Sequence, residues 1–125
     1  MVKSILTVLI AAAILAVGAY AEKVMVSDSC DRLYEMTETL QEKTLSKEAS
    51  FEQAAALQKF WLVKKRSLHA FIPHNEVRDV DRWIAQTVTS LKFQRYEDAY
   101  IYLEVAKEIF KSLPDSFGLR FENIF

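Results

Sequence analysis

Glycine and proline are scarce in this chain, with two of each among 125 residues. An average protein uses roughly 7% glycine and 5% proline, and an all-β sandwich or barrel needs many tight turns built from them. Cysteine occurs once, which excludes an internal disulfide framework and a site with several thiolate ligands. We therefore expect an all-α protein with one small domain.

A dominant charge is also missing. Lysine and arginine number 16 against 17 aspartate and glutamate, so no strong basic field marks nucleic acid as a partner. The sequence holds no Gly-rich phosphate loop, no G-x-S-x-G elbow and no H-E-x-x-H motif. We expect neither an enzyme nor a protein with a metal or other cofactor, and no nucleic-acid partner.

The chain does contain an apolar amino terminus, residues 1–21. Lys3 is its only charged residue, and the run from Ser4 to Ala21 has none. As a helix this run reaches about 27 Å, close to the roughly 30 Å of a bilayer's hydrocarbon core. It predicts a segment that inserts into a membrane.

Two fates of this segment remain open. It is either an uncleaved signal anchor, with Lys3 held inside by the positive-inside bias, or a signal peptide cleaved after Ala19-Tyr20-Ala21, an A-x-A site. A helical pattern resumes directly after it, which favours the anchor. Either way residues 22–125 form an extracytoplasmic domain, on a single-pass membrane protein or on a secreted one.

Residues 22–125 carry four stretches with apolar side chains three and four positions apart. Ser50 and Gln53 have the spacing of a capping box, while Pro73 and Pro114 are expected to end the second and fourth helices. The third is expected from about Asn75 to Phe93. The pattern predicts about four antiparallel amphipathic helices, arranged as a bundle of stacked hairpins. The residues expected to face the core are Val26, Cys30, Leu33, Met36, Leu40, Ala54, Leu57, Trp61, Leu68, Phe71, Val77, Val80, Ile84, Val88, Leu91, Ala99, Leu103, Ala106, Phe110 and Leu113.

The cluster His74-Asn75-Glu76 follows Pro73, where two helices must turn. One interpretation makes His74 and Glu76 an acid/base pair or two ligands of a metal, with His69 as a third. The favoured one is a structural turn in which Asn75 caps the third helix and Glu76 complements its positive end.

A basic patch surrounds Phe60 and Trp61, with Lys59 before them and Lys64 to Arg66 after them. It could bind an anionic lipid headgroup or surface polymer. A solvated helix face opposite Trp61 is the favoured interpretation.

The tail, residues 117–125, alternates apolar and polar side chains, which predicts an extended segment. Exposing this much apolar surface is unfavourable, at roughly 25 cal/mol per Å². The tail is therefore expected to pack back on its own helices or to dock into a partner. The docking candidates are Phe121, Asn123, Ile124 and Phe125.

The order of these features resembles an uncharacterised family of small membrane-anchored helical proteins found mainly in clostridia and related Gram-positive bacteria. The similar parts are the apolar amino terminus, the turn from Phe71 to Val77 and the ending Glu122-Asn123-Ile124-Phe125. The resemblance implies a one-pass anchor with a helical domain outside the cytoplasm. It implies no reaction and no ligand.

These features predict a non-enzymatic, membrane-tethered interaction module of the cell envelope, bound to another envelope or membrane protein through its tail or its 74–76 turn. The alternative is an envelope ligand or metal sensor centred on His74 and Glu76. An envelope hydrolase would need a convergent acid/base pair, and the sequence offers none.

Overall fold

The computed structural model describes residues 2–70 and 72–124, with side chains described as far as Pro114. Helices account for nearly all of this part of the chain, and no strand occurs in it. The prediction of an all-α fold is confirmed. The helices are α1 (Val2–Leu45), α2 (Phe51–Leu68), α3 (His74–Lys92) and α4 (Tyr96–Ile124).

The four helices form an antiparallel bundle. Each packs on two neighbours, in the ring order α1, α2, α3, α4, and the contact between α1 and α4 is the most extensive. Short connections make successive helices antiparallel. Across the middle, the rings of Trp61 and Phe110 lie 5.7 Å apart and join the opposite helices α2 and α4. The bundle therefore closes around a single core.

The first helix has two unlike parts. It runs unbroken for 44 residues. Among residues 2–25 only Ala19 is partly buried, and fully buried residues begin at Val26. Its amino-terminal part is long and apolar enough to cross a membrane, and none of its most apolar 18-residue stretch is buried. We call residues 2–21 the apolar arm, the end of the bundle beside it the arm end, and the opposite end the far end.

The predicted spacing of core residues is confirmed in every helix. Val26, Leu33, Trp61, Leu103 and their stripe partners are buried. Met36 and Val88 are partly buried and pack against this core. Phe71 lies outside the described residues.

The ends of the helices are formed with little help from glycine. Ser50 Oγ accepts the backbone N–H of Gln53 at 3.3 Å, and Gln53 Oε1 accepts that of Ser50 at 3.1 Å, so the capping box is confirmed. Past the ends of α1 and α3, Lys47 and Gln94 adopt φ values of 61° and 57°. Glycine usually occupies such left-handed positions, so these two turns form without it.

The prediction that Pro114 ends the last helix is wrong, because α4 continues through it to Ile124. The extended backbone predicted from residue 117 is wrong for the same reason. Proline removes one hydrogen bond within a helix. The three-and-four spacing of apolar residues on α4 nevertheless continues past Pro114, in the same segment where apolar and polar residues alternate. The residues on this continued stripe are Leu113, Phe117, Phe121 and Ile124.

Candidate functional site: the turn between α2 and α3

The turn that joins α2 to α3 lies at the arm end of the bundle. The guanidinium carbon of Arg32 on α1 lies 5.5 Å from the ring centroid of Phe60 on α2. Because α1 and α2 are antiparallel, Leu68, eight residues further along α2, lies near the level of Val24. The turn after Leu68 is therefore beside the junction of bundle and arm.

The prediction that Asn75 caps α3 is wrong. The helix begins one residue earlier, at His74, and its N-cap is Pro73, with no hydrogen bond from a capping side chain. The carbonyl of Pro73 accepts the N–H groups of Glu76 at 3.1 Å and Val77 at 3.2 Å. With φ fixed at −55° by its ring, Pro73 starts the helix through backbone conformation.

His69 and His74 meet across this turn. Nδ1 of His74 lies 3.2 Å from Nε2 of His69, and the two rings are edge to face with centroids 5.3 Å apart. One nitrogen must donate and the other accept, so the contact requires at least one neutral imidazole in the matching tautomer. Both side chains are exposed. The sequence pointed to each histidine separately, and the turn brings them together.

Glu76 supplies the one orphaned polar atom in the described part of the chain. Its side chain is partly buried, and its Oε2 is buried without a hydrogen-bond partner. Its place in the first turn of α3 suits the positive end of the helix dipole. Among the described residues, no three His, Cys, Asp or Glu side chains group closely enough to hold a metal ion.

Asp81 connects α3 to α2. Its Oδ1 accepts the indole N–H of Trp61 at 2.7 Å, and its Oδ2 accepts Lys65 Nζ at 2.7 Å. Trp61 is only 1% exposed, and a buried indole N–H needs an acceptor. Sequence reasoning missed this carboxylate. The available signal was an inward tryptophan and an acidic residue beside the buried Val80.

Two cations of the predicted basic patch make contacts within the bundle. Lys64 Nζ lies 5.5 Å from the centroid of the Phe60 ring, and Lys65 pairs with Asp81. The exposed members are Lys59 and Arg66. This arrangement agrees with a solvated face opposite the buried Trp61.

The C-terminal docking candidates lie at the end of α4. The helical backbone includes Phe121, Asn123 and Ile124, whose side chains are outside the described part. Phe125 lies outside the described residues. Docking of the tail stays a prediction.

A further candidate surface lies at the far end. We call Leu45, Tyr100 and Ile101 the far-end patch, in which Leu45 is 73% and Ile101 56% exposed. Together with polar neighbours such as Lys47 and Glu97, the patch lines an open groove of about 400 Å³. The signal in the sequence was two apolar residues, Leu45 and Ile101, that fall outside the core stripes.

These features define a class of protein: a small four-helix bundle whose first helix extends into an apolar arm. The model of a family described as a domain of unknown function (DUF4363) matches residues 20–124. Because the match covers most of the chain, the protein belongs to this family, and the resemblance to an uncharacterised family is confirmed. The matched range begins where the arm ends. No curated protein and no solved structure matches the chain.

Proposed function

We propose that this protein is a membrane-tethered interaction module whose bundle stands outside the cytoplasm and binds another envelope protein. The observation that carries the proposal is the change in exposure along α1. Its first half is apolar on all sides and exposed, whereas its second half buries one face in the bundle. Lipid gives the arm the apolar surroundings that it lacks within the protein.

An uncleaved anchor is the favoured form of the tether. α1 passes through Ala19-Tyr20-Ala21 and enters the bundle without a break, so the arm and one wall of the bundle belong to a single helix. Lys3 directly precedes the uncharged run from Ser4 to Ala21. The positive-inside bias favours the orientation with Lys3 in the cytoplasm and the bundle outside.

The far-end patch is the surface that we expect to bind the partner. It is the part of the bundle most distant from the membrane, so an approaching protein reaches it without obstruction by lipid. Apolar patches rimmed by polar side chains commonly mark protein interaction sites, and Lys47 and Glu97 supply such a rim. Burial of Leu45 and Ile101 against an apolar partner surface supplies the driving force.

The tether is tested by two measurements on the full chain in cells. A reporter enzyme that works only outside the cytoplasm, fused after Phe125, should be active. An Ile10→Arg change should release the protein from the membrane, because arginine at the centre of a span costs about 2.5–3.5 kcal/mol of insertion free energy. Leu45→Arg, at an exposed apolar site outside the arm, is the control and should leave the protein in the membrane fraction.

The partner surface is tested by photo-cross-linking from single positions in the same cells. A cross-linking side chain at Ile101 should give a discrete product, and one at the exposed Thr89 on α3 should not. Leu45→Glu should abolish the product from position 101. A Leu45→Glu variant that keeps both its fold and the cross-link would contradict this choice of surface.

A second candidate function, a ligand or metal sensor, is favoured by the histidine contact alone. Two ligands of a tetrahedral zinc ion at about 2.0–2.1 Å lie roughly 3.3 Å apart, and the nitrogens of His69 and His74 are 3.2 Å apart. Glu76 has an unpartnered oxygen in the same turn but does not form a three-ligand group with the two histidines. Zinc titration of the full chain in detergent should then show one bound ion, lost in His74→Ala. Unchanged zinc content in that variant would end this candidate.

A further inference from the structure

The register between α1 and α4 is set by contacts on the bundle half of α1. The side-chain amide of Gln41 donates to the Glu104 carboxylate and to the backbone carbonyl of Tyr100. Gln41 therefore lies level with the turn of α4 between these two residues. At the far end, Leu45 lines a groove together with Tyr96 and Tyr100, which gives the same antiparallel register.

This register determines where α4 ends along α1. From the level of Gln41, α4 continues for about 22 residues to Ile124, a rise of about 33 Å at 1.5 Å per residue. The same rise, followed back along α1, ends near Ala19. Ala19 is partly buried, whereas residues 2–18 and 20–25 are exposed, as expected if the last turn of α4 reaches it.

Ala19 belongs to the uncharged run that ends at Ala21. The last turns of α4 thus lie beside the outer end of the segment proposed to cross the membrane. Their composition suits that depth, because interfacial amphipathic helices carry phenylalanine and leucine on one face and charged residues on the other. The apolar residues of this region are Phe117, Leu119, Phe121 and Ile124, and the charged ones are Arg120 and Glu122.

We infer that the end of α4, residues 117–124, is a second membrane contact, immersed in the lipid headgroup interface beside the α1 span. The inference rests on the proposed function, since it requires the arm to be in a bilayer. Lipid then covers this surface. A helix end at this depth already lies outside bulk water, so no protein partner is needed to cover it. With α1 and α4 both held at the membrane, the bundle cannot tilt freely on its tether.

The test measures the depth of single probes on the full chain in vesicles of phosphatidylcholine and phosphatidylglycerol. In a Cys30→Ser background, an environment-sensitive fluorophore is attached at Asn123→Cys. Matched variants carry it at Tyr20→Cys, at the same level on α1, and at Ser46→Cys, at the far end. A spin label on the lipid headgroup should quench the probes at positions 123 and 20 and leave the probe at 46 bright.

Three results would overturn the inference. If position 20 is quenched and position 123 is as bright as 46, the span is correct and α4 ends in water. If position 123 is protected in native membranes but exposed in pure lipid vesicles, a protein covers it instead of lipid. If position 20 itself is bright, the proposed span fails together with this inference. Glu122→Cys provides a second tail position in case Asn123→Cys disturbs the fold.

Discussion

The two halves of α1 have similar lengths and belong to one continuous helix. They differ in charge and in the pattern of apolar residues, and these properties govern burial. The apolar arm has no charge between Ser4 and Ala21 and is exposed almost throughout, whereas residues 26–45 alternate acidic and apolar side chains and form one wall of the core. A helix that is apolar all round has no particular face for a one-sided bundle to cover. The pattern of apolar residues, and not their number, therefore decides which half packs against protein.

The largest expected effect is a difference in thiol reactivity between a buried position in the second half of α1 and an exposed position. Burial, with a contribution from Asp31, raises the pKa of the Cys30 thiol to about 12. Since a free cysteine has a pKa near 8.5 and the thiolate is the nucleophile, the reactive fraction falls by on the order of a thousandfold. Maleimide labelling of the native protein should be correspondingly slow.

The matched control moves the thiol to the exposed end of the same helix. Cys30→Ser combined with Ser46→Cys should label rapidly under native conditions, and both proteins should label equally fast once unfolded. Rapid native labelling of Cys30 would show that the core beside α1 opens readily to solvent.

A pair of identical substitutions compares the two halves directly. Leu33→Ala removes a fully buried side chain, and such changes reduce the free energy of unfolding by about 2–5 kcal/mol. Leu9→Ala removes the same atoms from the arm, where no protein side chain covers them, and should change it by less than about 0.5 kcal/mol. Denaturant unfolding in detergent, followed by the fluorescence of the two tryptophans, Trp61 and Trp83, measures both. Equal losses would mean that the arm also packs into the core.

Much of this contrast could be predicted from the sequence, because local patterns set it. The stripe from Val26 to Leu40 has helical spacing, and the box between Ser50 and Gln53 needs only residues three apart. The arm can be predicted because it has no charged residue between Ser4 and Ala21. Each of these signals depends on neighbours in the chain and on no distant contact.

The errors lie where distant contacts decide. Pro114 reads as a helix end by itself, but α1 provides a long surface for α4, and the stripe through Leu113 continues past the proline. The error at Asn75 is the exception, because a neighbour in the chain, Pro73, fixes the first turn of α3. The Asp81 contact with Trp61 and Lys65 joins two helices, so their relative register had to be known first.

A smaller effect concerns the polar contact that fixes α1 on α4, for which the arm has no equivalent. The hydrogen bond from Gln41, followed by that from Lys107, lowers the pKa of the Glu104 carboxyl. A carboxyl with a lowered pKa in the folded state stabilises the fold above its unfolded pKa, and this contribution is lost as pH falls through the folded pKa. Gln41→Met should therefore cost about 1 kcal/mol or less near neutral pH.

The same substitution should matter less in acid. Once Glu104 is protonated, the wild type has lost most of the contact that Gln41→Met lacks. The two unfolding curves should therefore converge as the pH falls from the ordinary glutamate pKa through the lowered pKa of folded Glu104. Lys107→Met provides a comparison that also removes a partner of Glu104 and should show the same convergence. A difference between wild type and Gln41→Met that does not change with pH would assign the effect to packing.

The smallest expected effect tests a feature that the two halves share. Thr7 Oγ1 donates to the carbonyl of Lys3 at 2.8 Å in the arm, and Thr37 Oγ1 donates to that of Leu33 at 2.7 Å in the core. Each hydroxyl thus takes a partner from its own helix, four residues back. Replacing either threonine with valine removes the hydroxyl that donates the hydrogen bond. The accepting carbonyl keeps its usual bond from a backbone N–H, so no buried group loses its only partner. Thr37→Val should change the free energy of unfolding, and Thr7→Val the fraction of protein in the membrane, by no more than about 0.5 kcal/mol equivalent. A loss well above this for Thr7→Val alone would mean that its hydroxyl binds a second partner within the bilayer, and the arm would then be more than a tether.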